Sequence, residues 1–319
     1  MNDALMVVIA AQAVTAAVPL VLAGIGETLA QRAGVLNVGI EGLLLTGCVA
    51  GFTGAALSGC AWSGLAAAIV AGALLAALFA WVTVVMRCDQ IVAGMAINLL
   101  AVGGSGTVWL VAQGNGYAEL SANAGFYRGI VPGISAETQA WLCDLPLIGP
   151  LVFAQYGLAV VTVLLAGAAW WTLTRTRVGV IIHALGDAPD ACAANGIAVQ
   201  RWRVGLVILA GALAGAAGAY LSIMRTHGFS PLMTGGMGFV VLALVIFGRW
   251  HIGGLVAACV GFGVIDALQS HLQSRGLNAV IPYQVFQALP FIVALIALAA
   301  MRRGTTGPRR LGQAWPTER

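Results

Sequence analysis

Charge is what this sequence has least of. Only 8% of its 319 residues are Asp, Glu, Lys or Arg, where soluble domains carry about a quarter. Hydrophobic residues make up 60%, and the mean hydropathy is +0.95. A soluble globular domain is excluded, and a polytopic membrane protein is implied. Other absences narrow the chemistry. The six cysteines (Cys48, Cys60, Cys88, Cys143, Cys192, Cys259) form no CxxC and have no histidine at ligand spacing, so no metal site or redox motif is indicated. There is no GxxxxGK[ST] phosphate loop, so the chain does not bind ATP by that motif. His183, His227, His251 and His271 lie far apart, and no Ser/His/Asp constellation suggests catalytic residues. A net charge of +4 gives no case for nucleic acid, because the arginines sit at membrane edges and in the tail. Glycine, in contrast, is abundant at 43 residues, and close helix packing and broken helices are its expected uses.

The apolar runs predict an all-α fold of about nine membrane segments, the first of them long enough to cross a core of about 30 Å. They lie near 4–26, 43–57, 61–86, 91–112, 150–173, 204–224, 238–247, 253–268 and 282–300. The first run follows Asn2 and Asp3 rather than a positive n-region, so it does not read as a cleavable signal. The whole chain, 1–319, reads as one transmembrane domain with a polar loop over 174–203 and a polar tail over 302–319. Both polar stretches are rich in arginine and are expected in the cytoplasm. The acidic stretch 113–149, with Glu119, Glu137 and Asp144 against Arg128, then falls outside. This count puts the N-terminus outside and the C-terminus inside, and it brings Arg32, Arg87 and Arg249 to the cytoplasmic face.

Two features stand out within that plan. Glycines interrupt the apolar pattern at comparable places in two pseudo-repeated halves, over 34–42 and 230–238, which points to a central path. Asn37 and Glu41 fall in the first break, four residues apart and thus on one face of a helix, and Asn98 lies in the middle of a span. An intramembrane carboxylate suggests function; a structural role, such as pairing Glu41 with Arg32, is the competing reading. For Asn98 a helix–helix hydrogen bond competes with substrate contact, and for the second glycine cluster close packing competes with a path. Glu27 reads as an edge residue, and Asp266 lies near a span's end. The second feature is the polar loop, where 187–196 reads as a short helix. Asp187 can cap it, Pro189 fits its first turn, and Asn195-Gly196 stops it. So short a helix must lie against something else.

The loop Gly179…Ala184-Leu-Gly-Asp187…Ala193-Ala-Asn-Gly-Ile197 resembles the coupling loop of permease subunits of ABC importers for ribose-type sugars and branched-chain amino acids. Arg32-Ala-Gly-Val-Leu-Asn-Val-Gly-Ile-Glu-Gly42 is similar to one branch of that family, the nucleoside permeases that work with basic membrane lipoproteins. So are Asp89-Gln-Ile-Val-Ala-Gly-Met-Ala-Ile-Asn98 and Ser230-Pro…Met233-Thr-Gly-Gly…Gly238-Phe239…Phe247-Gly-Arg-Trp-His251. The likeness spans about 18–302. Asp89 departs from the branch's usual asparagine, and Ile252 from its proline.

The resemblance implies a non-catalytic permease subunit of an ATP-driven importer in a bacterial inner membrane. Its substrates would be nucleosides, or, as the alternative, simple sugars; an ion-coupled carrier is a more distant alternative. The implied partners are cytoplasmic ATP-binding subunits that use ATP and Mg, a second permease subunit in a heterodimer, an external substrate-binding lipoprotein, and membrane lipid. The chain itself would bind no cofactor or metal. Asn37, Glu41, Asn98, Thr234, Gly235, Gly236 and Phe239 would line the substrate path, with Trp109 or Phe239 offering an aromatic face. Asp187, Ala188, Pro189, Asp190, Ala193, Asn195 and Gly196 would form the helix gripped by the ATP-binding subunits.

Overall fold

Inside hydrocarbon the backbone must satisfy its own hydrogen bonds, so long apolar runs become helices. A computed structural model of the chain describes residues 2–114, 155, 157–274 and 307–315, and every regular element in them is helical. In chain order these are α1 (Asn2–Arg32), α2 (Ile40–Ser58), α3 (Ala61–Ala80), α4 (Gln90–Gly114), α5 (Gly157–Arg175), α6 (Arg177–Asp187), α7 (Pro189–Ala194), α8 (Val199–Ala219), α9 (Met237–Phe247) and α10 (Ile252–Ser274). The ends of α3 and α8 run on as π turns, Trp81–Val85 and Tyr220–Arg225. Seven of these helices are long and apolar enough to cross a membrane; α9 is a shorter apolar helix. The ninth segment expected from the sequence, 282–300, lies outside the described residues, as do 115–149 of the acidic stretch.

The bundle is organised around α8, which packs on α1, α2 and α3, while α1 also packs along α10. Lipid is as apolar as leucine, so helices associate where small side chains let backbones approach. Gly211, Gly215 and Gly218 lie on one face of α8. A Cβ at Gly215 would collide with the Ala68 carbonyl of α3, and one at Gly218 with the Leu44 carbonyl of α2. Gly47 and Gly72 face this stripe from the other side. Such a seam fixes helix position closely enough to hold broken backbone between helices.

Candidate functional site

Helix α1 ends at Arg32, and the chain then runs without helix until Ile40. Gly34 makes the turn with φ +91°, a conformation that glycine adopts without strain. Unpaired backbone here would cost several kcal/mol per group, yet the break is braced by polar side chains. The Leu36 N–H donates to Gln90 Oε1 (2.7 Å), the Asn37 N–H to Glu27 Oε1 (3.3 Å) and the Gly39 N–H to Asn37 Oδ1 (3.1 Å). Asn98 of α4 clamps both sides: its Oδ1 accepts from Gly42 N–H (2.8 Å) and its Nδ2 donates to the Val38 carbonyl (3.1 Å). The Ala33 carbonyl accepts from Arg203 Nε (2.9 Å). Asn37 therefore sits in non-helical chain, fully covered, rather than one helical turn before Glu41 as its spacing predicts. The hydrogen bonds available to 34–39 from neighbouring helices outweigh helix propensity there.

The second break meets the first. After α8 the chain passes through Phe229 and Thr234, and Gly235 and Gly236 take φ of +54° and +87°. Gly236 is the N-cap of α9 and supplies no side chain to its orphan N–H groups. Glu41 supplies it from α2. Its Oε1 accepts from Thr234 Oγ1 (2.6 Å) and Gly236 N–H (2.9 Å), and its Oε2 from Gly238 N–H (2.6 Å). A helix N-terminus favours a carboxylate electrostatically as well. Gly238 permits the approach, since a Cβ there would lie 2.5 Å from the Glu41 backbone nitrogen. The 11 residues of α9 span about 16 Å at a rise of about 1.5 Å each. They end at Phe247, two residues before Arg249.

Of the residues named from sequence, the structure brings Glu41, Thr234, Gly235 and Gly236 together, with Asn37 and Asn98 holding the adjoining strand of backbone. Phe239, in the first turn of α9, is 44% exposed. Trp109 meets Phe52 and Phe229 edge-to-face, with ring centroids 5.9 and 5.6 Å away, toward the far end of α2 from Glu41. The pairing of Glu41 with Arg32 does not occur. Arg32 instead donates from Nε to the Trp250 carbonyl (2.8 Å) and from Nη2 to the Arg249 carbonyl (3.3 Å). Asp266 pairs with Arg225 at 3.2 Å.

Glu27, read as an edge residue, is completely buried. It accepts from Gln31 Nε2 (2.9 Å), and Gln31 Oε1 accepts from Trp250 Nε1 (2.7 Å). Sequence reasoning passed over Glu27, Gln31, Gln90 and Arg203 as bracing residues. The polar pair Glu27/Gln31, four apart at the end of an apolar helix, is the signal that was available. Asp89 accepts from Ile91 and Val92 N–H (both 2.9 Å) and so caps α4.

The polar loop folds as two helices. Thr176 caps α6 by accepting from Gly179 N–H (3.3 Å). Ala188, not Asp187, is the N-cap of α7, with Pro189 at its start, and Asn195 closes it before Gly196 at φ +78°. Asp187 turns to the tail and accepts from the Arg309 N–H (3.0 Å). Pro189 and Cys192 are buried against the bundle, whereas Asp187, Asp190, Ala191, Ala194, Asn195 and Gly196 are exposed. Burial lowers the pKa of His183 on α6, with Arg32 adding to the effect.

Helices long and apolar enough to cross a membrane, with two breaks joined at Glu41, define a multi-pass helical membrane protein of the transporter class. The chain belongs to the family of branched-chain amino acid transport system permease components, which it matches over residues 9–298; it is an ABC transporter permease. It is 32% identical to TsgC13 of Haloferax volcanii, provisionally named a glucose ABC transporter permease, over 91% of this chain and 90% of that one. It is 31% identical to the guanosine ABC transporter permease NupQ of Bacillus subtilis, over 93% and 92%. It is 30% identical to the nucleoside ABC transporter permease NupC of Lactococcus lactis, over 92% of each. A solved ABC transporter of the metal-chelate type, facing inward, shares the fold with a TM-score of 0.53 and 14% identity, over 92% of this chain and 85% of that one.

Proposed function

We propose that the chain is one permease subunit of an ATP-driven nucleoside importer, paired with a second, related permease in the bacterial inner membrane. Its N-terminus lies outside and its C-terminus in the cytoplasm. The observation that carries this reading is the junction of the two breaks at Glu41. The carboxylate spends three acceptor positions on Thr234, Gly236 and Gly238, which leaves about one of its four for a ligand hydroxyl. A ribose is such a ligand, and two relatives that this chain matches along its length carry nucleoside or guanosine in their names. Asn37, Asn98, Gly235 and Phe239 complete the proposed path.

ATP and Mg are used by two cytoplasmic ATP-binding subunits that grip α7, and an external lipoprotein delivers substrate from the other side. Closure of the ATP-binding pair moves α7, and the membrane helices respond by alternating access. A simple-sugar importer is the second reading, favoured by the likeness to TsgC13. An ion-coupled carrier fits poorly, because the relatives that this chain matches along its length are named as ABC transporter permeases.

The test is uptake into proteoliposomes holding the permease pair and its ATP-binding subunits, with the lipoprotein added outside. Radiolabelled guanosine should accumulate only with ATP and lipoprotein, and unlabelled uridine or adenosine should compete where ribose and glucose do not. Competition by the sugars alone selects the second reading. Accumulation driven by an ion gradient without ATP refutes the importer.

A further inference from the structure

The tail lies across the cytoplasmic face as a strap with contacts on five parts of the molecule. Gly307 packs on the Trp250 indole, where a Cβ would lie 2.7 Å from the ring. The Arg309 N–H donates to Asp187 Oδ1 (3.0 Å), and the Arg310 N–H to the Gly186 carbonyl (2.8 Å). The Gly312 N–H donates to the Gly34 carbonyl in the first break (3.1 Å). The Gln313 carbonyl accepts from Arg203 Nη1 (3.1 Å), and Trp315 Nε1 donates to Asp190 Oδ1 on α7 (2.8 Å). Arg203, 2% exposed, also donates to the Leu185 carbonyl (3.1 Å) and so ties the end of α6 to the same point.

Four of these bonds use backbone groups of the tail, so they depend on its path rather than on long, mobile side chains. Their partners are the end of α6, the first break and Arg203 of α8, while the side chains of Trp315 and Arg310 reach Asp190 on α7. Seven residues beyond Gly34, in the first turn of α2, stands Glu41, which holds the second break. A displacement of α7 and the adjoining end of α6 therefore pulls on the tail, and through Gly312 on Gly34.

We propose that residues 307–315 are a positioning strap that carries the movement of α7 to the first break, so that ATP hydrolysis is spent on transport. This rests on α7 being the helix that the ATP-binding subunits grip. Without the strap, α7 still docks on its partner and hydrolysis proceeds, but the break no longer follows. A purely structural tail would lower hydrolysis and uptake together.

Two variants test it in the assembled importer: a chain stopped after Thr306, and the milder double substitution Trp315→Phe with Arg310→Gln. In the stopped chain, guanosine uptake per complex should fall about tenfold, within the usual range of coupling between sites, while ATP hydrolysis stays within about twofold. The double variant should shift the ratio of ATP hydrolysed to guanosine moved in the same direction by a smaller factor. Unchanged uptake in the stopped chain, or hydrolysis falling in step with uptake, overturns the proposal. Hydrogen exchange on the permease in detergent gives a readout that needs no substrate. Removing the strap should speed exchange over 186–196, and unchanged exchange there overturns the strap by itself. Absence of ATP-driven uptake in the unaltered importer is a separate result, which refutes the importer reading while exchange still decides the strap.

Discussion

Glu41 is the single side chain on which both breaks converge, and its chemistry is unforgiving. Glu41→Gln replaces one acceptor oxygen with an NH2 group facing backbone N–H donors. Charge-assisted hydrogen bonds are worth about 1.5–3 kcal/mol each, so the substitution should cost about 2 kcal/mol and abolish uptake. Thermal unfolding in detergent beside guanosine uptake checks this; an unchanged melting temperature would show that the bridge to α9 is not made. The sequence marked Glu41 as a carboxylate in the wrong solvent, and Thr234 and Gly236 as path residues, but not the bonds between them. The partners of Glu41 lie almost two hundred residues away, and two of the three are backbone groups that any sequence could supply. The misplacement of Asn37 on a helix has a similar origin. Spacing reports what an unperturbed helix would do, while Gln90, Glu27 and Asn98 determine what the backbone of 34–39 does.

At the scale of elements, two predictions follow from glycine. Gly215 faces the Ala68 carbonyl with no room for a side chain, so Gly215→Leu should prevent α3 and α8 from packing. Overpacking of a close seam costs roughly 1–3 kcal/mol or more, visible as loss of the monodisperse peak on size-exclusion of the fluorescently tagged chain. A normal peak would contradict the seam. Gly196 presents the opposite case. It has φ +78° and open space around it, on the exposed face of the polar loop. Gly196→Ala and Gly196→Trp share the same backbone strain of about 1–2 kcal/mol. Only the tryptophan adds bulk where an ATP-binding subunit would sit. We expect the alanine variant to transport and the tryptophan variant to be inserted but inactive; equal uptake by both would remove α7 from the docking surface. The helices themselves were legible from apolar runs and glycine interruptions, down to the stop at Asn195-Gly196. The cap was not, because Asp187 has a better partner in the tail's Arg309, and docking of a distant peptide leaves no local pattern.

For the whole molecule, scarcity of charge determined the class, and among the described residues the spans follow the apolar runs with one shorter helix, α9, preceded by the second break. The family is equally legible in the motifs around both breaks and the polar loop, which is why the match runs through residues 9–298. Substrate is less so, since permeases named for glucose and for nucleosides resemble this chain about equally. The central claim, that this chain works only as part of an ATP-driven assembly, is tested most directly by purifying it, tagged, from its own host in mild detergent and identifying what accompanies it by mass spectrometry. An ATP-binding subunit and a second permease in amounts comparable to the chain are the expected result. Recovery of the chain alone, at good yield and as a single species, would contradict it.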